Sequence, residues 1–168
     1  KLGKLFGLTV IVTCGSDDKC AAAKALGADH AINYATADFV EEVKRITEGD
    51  GVHIVLDMVA GSYVPRNLHA LREDGRHVTI AVQGGMVAEI NMAQVMMRRL
   101  TLTGSTLRAR SAEFKALLTD EIMRMVWPFV AEGKLAPKMD RSFPLSEAAA
   151  AHAHMESGDH VGKIVLEV

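Results

Sequence analysis

Residues 8–27, LTVIVTCGSDDKCAAAKALG, contain the pattern that decides the fold. The first six residues, LTVIVT, form an apolar run rich in β-branched side chains, which predicts a strand buried on both faces. Ser16 then stands where a helix N-cap is expected, and Asp17 and Asp18 favour the positive end of the helix that follows. Gly27 ends that helix. A buried strand followed at once by a capped helix is the start of a β-α-β unit.

The alternation of strand and helix continues along the chain. Short apolar runs predict further strands at residues 30–34, 52–57, 77–82, 101–106 and 163–168. Helices are predicted between them, one capped by Thr36 and ended by residues 48–51 (EGDG), and others near residues 63–71, 91–97, 111–132 and 146–157. Residues 73–75 (EDG) predict a turn, Gly104 marks a bulge or a close backbone approach, and Pro128 interrupts the longest helix. The predicted fold class is α/β, a doubly wound, Rossmann-like parallel sheet in a single domain over residues 1–168.

Composition and charge argue against several classes of function. The 168 residues are 49% hydrophobic and carry a formal net charge of −2 from 19 basic and 21 acidic residues. Because neither sign of charge is clustered, we expect no nucleic-acid partner and no membrane partner. No apolar stretch approaches the roughly 18 residues of a membrane span, and the start has no signal-peptide pattern. Cys14 and Cys20 fit reduced thiols, so we expect a cytoplasmic protein.

The glycine-rich loop that defines dinucleotide-binding folds does not occur in the sequence. No G-x-G-x-x-G joins a strand to a helix, and Gly49-Asp50-Gly51 precedes a strand, so it predicts a turn. Residues 1–7 (KLGKLFG) are typical of the last turn of a helix that begins upstream. We therefore expect the domain to be truncated before its first strand and its glycine loop.

Ligands of a doubly wound sheet bind outside the carboxyl ends of its strands, so the residues that follow each strand are the candidates for a site. Gly15 and Ser16 leave room for a phosphate, and Lys19 supplies positive charge where an NAD-preferring protein usually has an acidic residue. From spacing alone, a solvated surface lysine is an equally good interpretation of Lys19. Tyr34 suits stacking on an adenine ring, although a tyrosine at a strand end more often has no such role. For Asp57, a structural role such as a helix cap is favoured over a place in the cleft floor.

The seven histidines do not form a metal-binding motif. His152 and His154 are two residues apart on a predicted helix and therefore point in different directions. No C-x-x-C, no H-E-x-x-H and no Ser/His/Asp arrangement occurs, so the sequence predicts neither a metal site nor a hydrolytic site.

Five segments carry a resemblance to a known family. They are ALGADHAINY at residues 25–34, VLDMVAG at residues 55–61, LTLTGSTLRAR at residues 100–110, FPLSEAAAAH at residues 143–152 and GKIVLEV at residues 162–168. In this order and spacing they resemble the medium-chain dehydrogenase/reductase superfamily and, within it, the zinc-free NADPH:quinone oxidoreductases. The resemblance covers essentially all of the chain.

This resemblance implies an NADPH site. Gly15, Ser16 and Lys19 would surround the adenosine 2′-phosphate, and Tyr34 would flank the adenosine. The remaining cofactor-binding residues that it implies are Val59 in the cleft wall, Val82, Gln83, Thr106, Leu107 and Arg108 near the nicotinamide, and His160 as a polar contact. Catalytic residues cannot be transferred, because the amino-terminal catalytic domain of the family has no counterpart in this sequence.

For the complete protein, the resemblance implies transfer of reducing equivalents from NADPH to a quinone or a related conjugated carbonyl. Residues 1–168 alone are expected to have no useful turnover. The strand at residues 101–106 is expected at a sheet edge, where two copies would pair as a homodimer. Two alternatives stay open: a zinc-dependent alcohol dehydrogenase of the same superfamily, and a non-catalytic nucleotide-binding or dimerisation module.

Overall fold

The computed structural model describes all residues from Lys1 to Val168. Helices and strands alternate along the chain, as the sequence predicted. In chain order the elements are α1 (Leu2–Leu5), β1 (Ile11–Cys14), α2 (Asp17–Ala25), β2 (His30–Asn33), α3 (Phe39–Ile46), β3 (Val52–Asp57), α4 (Tyr63–Ala70), β4 (Leu71–Thr79), α5 (Met92–Met97), β5 (Thr101–Gly104), α6 (Ala112–Met125), α7 (Trp127–Ala131), β6 (Met139–Pro144), a 3-10 turn (Leu145–Glu147), α8 (Ala148–Ser157) and β7 (Lys163–Glu167). No helix combines the length and the apolar composition that a membrane span requires.

The chain divides into two compact units, the first made of residues 1–31 and 118–168 and the second of residues 32–117. The seven strands form three small sheets with the orders β1-β2, β3-β4-β5 and β6-β7. The β3-β4, β4-β5 and β6-β7 pairs are parallel. This parallel α/β arrangement confirms the predicted fold class, although the strands do not form one continuous sheet.

In the first unit, β1 is shorter and more exposed than the sequence predicted. It begins at Ile11 instead of Leu8, and 52% of Leu8 is exposed. The Asp29 carboxylate accepts a hydrogen bond from the Val10 N–H at 2.7 Å, so this end of the apolar run is held by a side chain. The prediction of burial on both faces was wrong, because a two-stranded sheet leaves much of each strand uncovered.

The carboxyl-terminal part of the first unit is the parallel pair β6-β7, against which α8 packs. The final predicted strand is confirmed as β7, and the predicted helix at residues 146–157 is present as the 3-10 turn followed by α8. β6 was not predicted, because its sequence MDRSFP contains no apolar run. Gly158 ends α8 in the left-handed conformation, with φ of 73°.

The second unit is built on the sheet β3-β4-β5, with α3 and α4 in contact with each other and α4 packed on the sheet. Its core contains the fully buried Leu68 of α4 and Leu71 of β4. Ala60, Val64 and Leu100 complete the buried cluster. β5 lies at the edge of the sheet, as predicted, and Gly104 confirms the predicted close approach, since an added Cβ would lie 3.2 Å from the Thr79 carbonyl oxygen.

Two local predictions in the second unit were wrong. Asp38, not Thr36, caps α3, because its carboxylate accepts hydrogen bonds from the Val40 and Glu41 N–H groups. The predicted turn at residues 73–75 does not precede a strand but is a bulge inside β4, where the register with β3 shifts and Asp74 has φ of 58°. β4 consequently starts earlier than predicted.

β4 also ends earlier, at Thr79 and not at residue 82. Beyond Thr79 the chain leaves the ladder and bonds to the turn that follows β3. The break predicted in the long helix at residues 111–132 is confirmed at Val126, with Pro128 inside the first turn of α7, where its missing N–H is tolerated.

Candidate nucleotide-binding site

In the first unit, the turn between β1 and α2 presents the predicted phosphate-binding residues. Gly15 is exposed, and Ser16 caps α2 because its Oγ accepts a hydrogen bond from the Lys19 N–H at 3.3 Å. The Ser16 hydroxyl therefore keeps its proton to donate at the start of this helix. This arrangement suits an anion such as a phosphate.

The Lys19 ammonium lies beside the same turn and is partly buried. It donates a hydrogen bond to the carbonyl oxygen of Gly158, in the loop after α8. An ammonium has three donors, so two of them remain for a ligand. The structure thus brings Gly15, Ser16, Lys19 and the residues beside His160 to one place in the first unit. Lys19 is held by a specific contact and is not a freely solvated side chain.

His160 has an unusual environment for a histidine. Its Nδ1 atom is buried and has no hydrogen-bond partner, although buried polar atoms are nearly always paired. Its ring lies edge-on to that of His154, with the centroids 6.3 Å apart. The contact of His160 with a ligand stays a prediction. The first unit presents a serine hydroxyl and a partly buried ammonium side by side at the turn after β1.

Asp140 supports this loop and was missed by the sequence reasoning. Its carboxylate accepts hydrogen bonds from the Val161 N–H and the His154 ring, each at 2.8 Å. The bond from Val161, followed by that from His154, lowers the pKa of Asp140. Asp140 lies in β6, so failure to predict that strand also hid this residue.

Cys14 at the end of β1 and Cys20 in α2 interact with each other. Both are free cysteines, and burial together with the contact to the Cys20 thiol raises the pKa of Cys14, an effect that the charge of Lys19 opposes. A thiol with a raised pKa is a poor nucleophile, so Cys14 is not a candidate catalytic group.

In the second unit, the predicted residues of the nicotinamide side lie at one edge of the sheet. Because β3, β4 and β5 are parallel neighbours, their carboxyl ends meet there. The segments that follow these strands are linked by hydrogen bonds from the Gln83 N–H to the Met58 carbonyl at 3.2 Å and from the Gly84 N–H to the Val59 carbonyl at 2.6 Å. A further bond joins the Ser105 N–H to the Thr79 carbonyl at 3.0 Å. The predicted residues at this edge are Val59, Val82, Gln83, Thr106, Leu107 and Arg108.

Two glycines make the closest approach at this edge possible. A Cβ added to Gly61 would collide with the Gly84 carbonyl oxygen, and a Cβ added to Gly84 would lie 2.8 Å from Cγ1 of Val59. Val82 and Leu107 are about half exposed, at 45% and 52%. The edge therefore offers closely packed backbone and exposed apolar side chains, which are compatible with a planar ring.

Tyr34 also lies in the second unit, directly after β2, and 46% of it is exposed. Its ring is accessible to a ligand, which is compatible with the predicted stacking. The stacking itself stays a prediction.

Asp57 is the buried polar centre of the second unit, and 3% of it is exposed. One carboxylate oxygen accepts the N–H groups of Val59 at 2.7 Å and Ala60 at 3.0 Å. The other accepts the Asn67 amide and the His77 ring, each at 2.9 Å. Burial acts to raise the pKa of Asp57, but the hydrogen bonds from Ala60, Val59 and His77 outweigh it and lower the pKa below its ordinary value. The role of Asp57 is structural, as favoured from the sequence, but it holds the turn after β3 and does not cap a helix, since Ser62 stands at the N-cap of α4. Asn67 and His77 were missed as its partners.

Comparison with known proteins gives the family. A family profile described as zinc-binding dehydrogenase matches residues 26–166. The chain belongs to the zinc-binding dehydrogenase family. Its histidine, cysteine and carboxylate side chains form no group of three or more that could hold a metal ion.

Three relatives illustrate the match. The 2-haloacrylate reductase of Burkholderia sp is 34% identical over 164 residues, which cover 95% of this chain and 48% of that protein. Quinone oxidoreductase-like protein 2 of Bos taurus is 28% identical over 160 residues, which cover 95% of this chain and 45% of that protein. A crystal structure of an NAD-dependent alcohol dehydrogenase is 36% identical and superposes with a TM-score of 0.78, covering 99% of this chain and 46% of the other.

The chain thus spans about half the length of the curated relatives it matches. Together the matches confirm the membership predicted from the sequence, in the medium-chain dehydrogenase/reductase superfamily and its zinc-free, quinone-oxidoreductase-like branch. They also confirm the Rossmann-like fold. The chain corresponds to the nucleotide-binding portion of such proteins.

Proposed function

We propose that this chain is the NADPH-binding part of an oxidoreductase that reduces quinones or related conjugated carbonyls. The observation that carries the proposal is the edge of the parallel sheet β3-β4-β5, where glycines and apolar side chains meet in a protein of this family. Relatives named as a reductase and as quinone oxidoreductase-like support the reaction class. The bound nicotinamide supplies the reducing equivalents, and the chain holds and orients it.

The first unit would bind the adenosine end of the cofactor. Lys19 and the Ser16 hydroxyl would bind the 2′-phosphate, Gly15 would leave room for it, and the His160 ring would donate or accept one polar contact. The charge of Lys19 is the reason to prefer NADPH over NADH, since the 2′-phosphate is the only charged difference between them.

The other residues proposed to contact the cofactor lie in the second unit. Tyr34 would flank the adenosine, and Val59 would line the cleft wall. The residues proposed to approach the nicotinamide are Val82, Gln83, Thr106, Leu107 and Arg108. Their side chains are exposed, and the Gln83 N–H is held by its bond to the Met58 carbonyl in the turn after β3.

We propose further that the active protein is a longer polypeptide with a separate catalytic domain, and that residues 1–168 alone have no useful turnover. The chain spans about half the length of the two curated relatives named above. The same proposal places the protein in the cytoplasm, which suits its free cysteines. It also includes a homodimer formed through the exposed edge strand β5.

A second candidate function is an alcohol dehydrogenase that uses NAD. It is favoured by one observation, the 36% identity to the NAD-dependent alcohol dehydrogenase structure. The two candidates differ in the cofactor that is bound more tightly, so cofactor preference separates them.

The test is the substitution Lys19→Glu, with dissociation constants for NADPH and NADH measured by calorimetry on the protein that contains this chain. Because a hydrogen bond to a charged group contributes roughly 1.5–3 kcal/mol, we expect NADPH binding to weaken by at least about ten-fold, with NADH little changed. The effect on NADPH should shrink as salt rises. Lys24→Glu, an exposed lysine on the same helix, is the matched control.

Two results would count against this assignment of Lys19. Equal losses for both cofactors would mean that Lys19 supports the fold through its bond to Gly158. No loss for either cofactor would mean that Lys19 is a surface lysine without a binding role. A wild-type protein that binds NADH more tightly than NADPH would favour the alcohol dehydrogenase.

A further inference from the structure

The Asp57 carboxylate is saturated with donors. A carboxylate has about four lone-pair sites, and Asp57 uses them for four hydrogen bonds, two from backbone N–H groups and two from side chains. Because a carboxylate only accepts, the proton of the His77 ring lies on Nε2, the atom that faces Asp57. Asp57 therefore has no free site for a ligand or for a proton in transfer.

The donors of this network come from three separate elements. Val59 and Ala60 lie in the turn after β3, Asn67 lies in α4, and His77 lies in β4. The exposed fraction of Asn67 is 6% and that of His77 is 2%, so neither side chain can touch a bound molecule. The network consequently acts on the turn after β3 and not directly on a ligand.

The turn after β3 is also hydrogen-bonded to the segment after β4. The Val59 carbonyl accepts the Gly84 N–H at 2.6 Å, and the Met58 carbonyl accepts the Gln83 N–H at 3.2 Å. The space between them is so tight that a Cβ on Gly84 would meet Cγ1 of Val59 at 2.8 Å. A shift of the turn would therefore move Gln83 and Gly84 as well.

We propose that His77 and Asn67 are positioning residues for the nicotinamide half of the cofactor site. They hold the Asp57 carboxylate, which fixes the turn at Val59 and Ala60, and through this turn they fix the backbone at Gln83. This inference rests on the proposed function, and it adds to it two residues that touch no ligand. Pre-ordering of a binding surface before the ligand arrives improves affinity, because less ordering remains to be done on binding.

The network serves one half of the site only. Lys19 and Ser16, which are proposed to bind the 2′-phosphate, belong to the first unit and take part in none of these bonds. Loss of a donor to Asp57 should therefore weaken binding of the whole dinucleotide and leave binding of its adenosine part unchanged. A general loss of stability would instead weaken binding of the whole dinucleotide and of its adenosine part alike.

The test compares His77→Leu with His77→Gln, which keeps a donor that can reach Asp57, and with His69→Leu, the same change at an exposed histidine on α4. Dissociation constants are measured by calorimetry for NADPH and for adenosine 2′,5′-bisphosphate, which lacks the nicotinamide half. Amide hydrogen exchange at Val59 and Ala60 is measured in parallel, without ligand.

For His77→Leu we expect NADPH binding to weaken by about ten-fold, while binding of the bisphosphate changes by less than about two-fold. Exchange at Val59 and Ala60 should become faster. His77→Gln should restore most of the affinity and of the protection, and His69→Leu should match the wild type. Asn67→Ala removes one donor and leaves His77 in place, so it gives the same comparison if His77→Leu does not fold.

Three results would overturn the inference. If the His77→Leu and Asn67→Ala variants bind NADPH as tightly as the wild type, the network does not position the site. Equal weakening of both ligands would assign these residues to general stability. A wild-type protein that binds neither ligand would overturn the proposed function and this inference with it.

Discussion

Asp57→Asn tests the central claim about the second unit, that a buried charge is stabilised by a full set of donors. The substitution keeps the shape of the side chain but replaces one accepting oxygen with an NH₂ group. With its remaining oxygen towards Val59 and Ala60, the new side chain keeps both backbone bonds. Its NH₂ group then faces two donors, the Asn67 amide and the His77 ring.

The expected loss in the free energy of unfolding follows from the hydrogen bonds that Asp57→Asn removes. Two hydrogen bonds to a charged group contribute roughly 1.5–3 kcal/mol each, so the gross loss is about 3–6 kcal/mol. The variant no longer has to desolvate a carboxylate, which offsets part of this loss. We expect the free energy of unfolding at neutral pH to fall by about 2–4 kcal/mol, less than for a change that leaves a buried charge without its partner.

The assay is unfolding in urea, monitored by circular dichroism and repeated at several pH values. The pKa of Asp57 is lowered in the folded protein, so the unfolded chain takes up a proton more readily. Stability from this group is present above the ordinary aspartate pKa, about 3.9, and is lost as the pH falls below that value through the folded pKa. The difference between wild type and Asp57→Asn should therefore be largest at neutral pH and shrink in acid.

Asp74→Asn is the matched control. Asp74 is exposed and paired with Arg99 at the surface, so the same chemical change should leave stability close to that of the wild type. A wild-type stability for Asp57→Asn, or a loss that does not depend on pH between neutral and acid, would refute the claim that the charge and its donors stabilise this turn.

Two further predictions concern packing and assembly. Leu68→Ala should lower the free energy of unfolding by about 2–5 kcal/mol in the same urea assay, because Leu68 is fully buried at the centre of the second unit's core; a loss below about 1 kcal/mol would mean that the core closes around the gap. The protein should sediment as a dimer at micromolar concentration, because the exposed edge of β5 is free to pair with a second copy; a strictly monomeric protein would contradict this.

Much of the fold follows from local patterns in the sequence. Helix α2 begins after Ser16 and ends before Gly27, as predicted. The segments Val52–Asp57 and Lys163–Glu167 are strands, as their apolar runs predict. Such signals act between near neighbours in the chain, so they can be read without a three-dimensional structure. β6 shows the limit of this approach, since it is a strand because it pairs with β7 and not because its own residues favour one.

The candidate site was predictable to a similar degree. The positions after each strand follow from the strand assignments, so Gly15, Ser16 and Lys19 could be named from the sequence. The resemblance added the residues of the nicotinamide side, and cofactor contact by any of these residues stays a prediction. Asp140 could not be found, because its role depends on Val161 and His154, which are distant in the sequence.

The sequence by itself determined the α/β class, the order of most helices and strands, and the family, because all of these are encoded in local periodicity and in short segments at fixed spacing. Only the tertiary structure decided what Asp57 does. Its partners Asn67 and His77 are 10 and 20 residues away, on a helix and a neighbouring strand, and nothing in their local sequence marks them. A buried carboxylate is stable only where the fold gathers donors around it, and that gathering occurs between elements, beyond the reach of any local pattern.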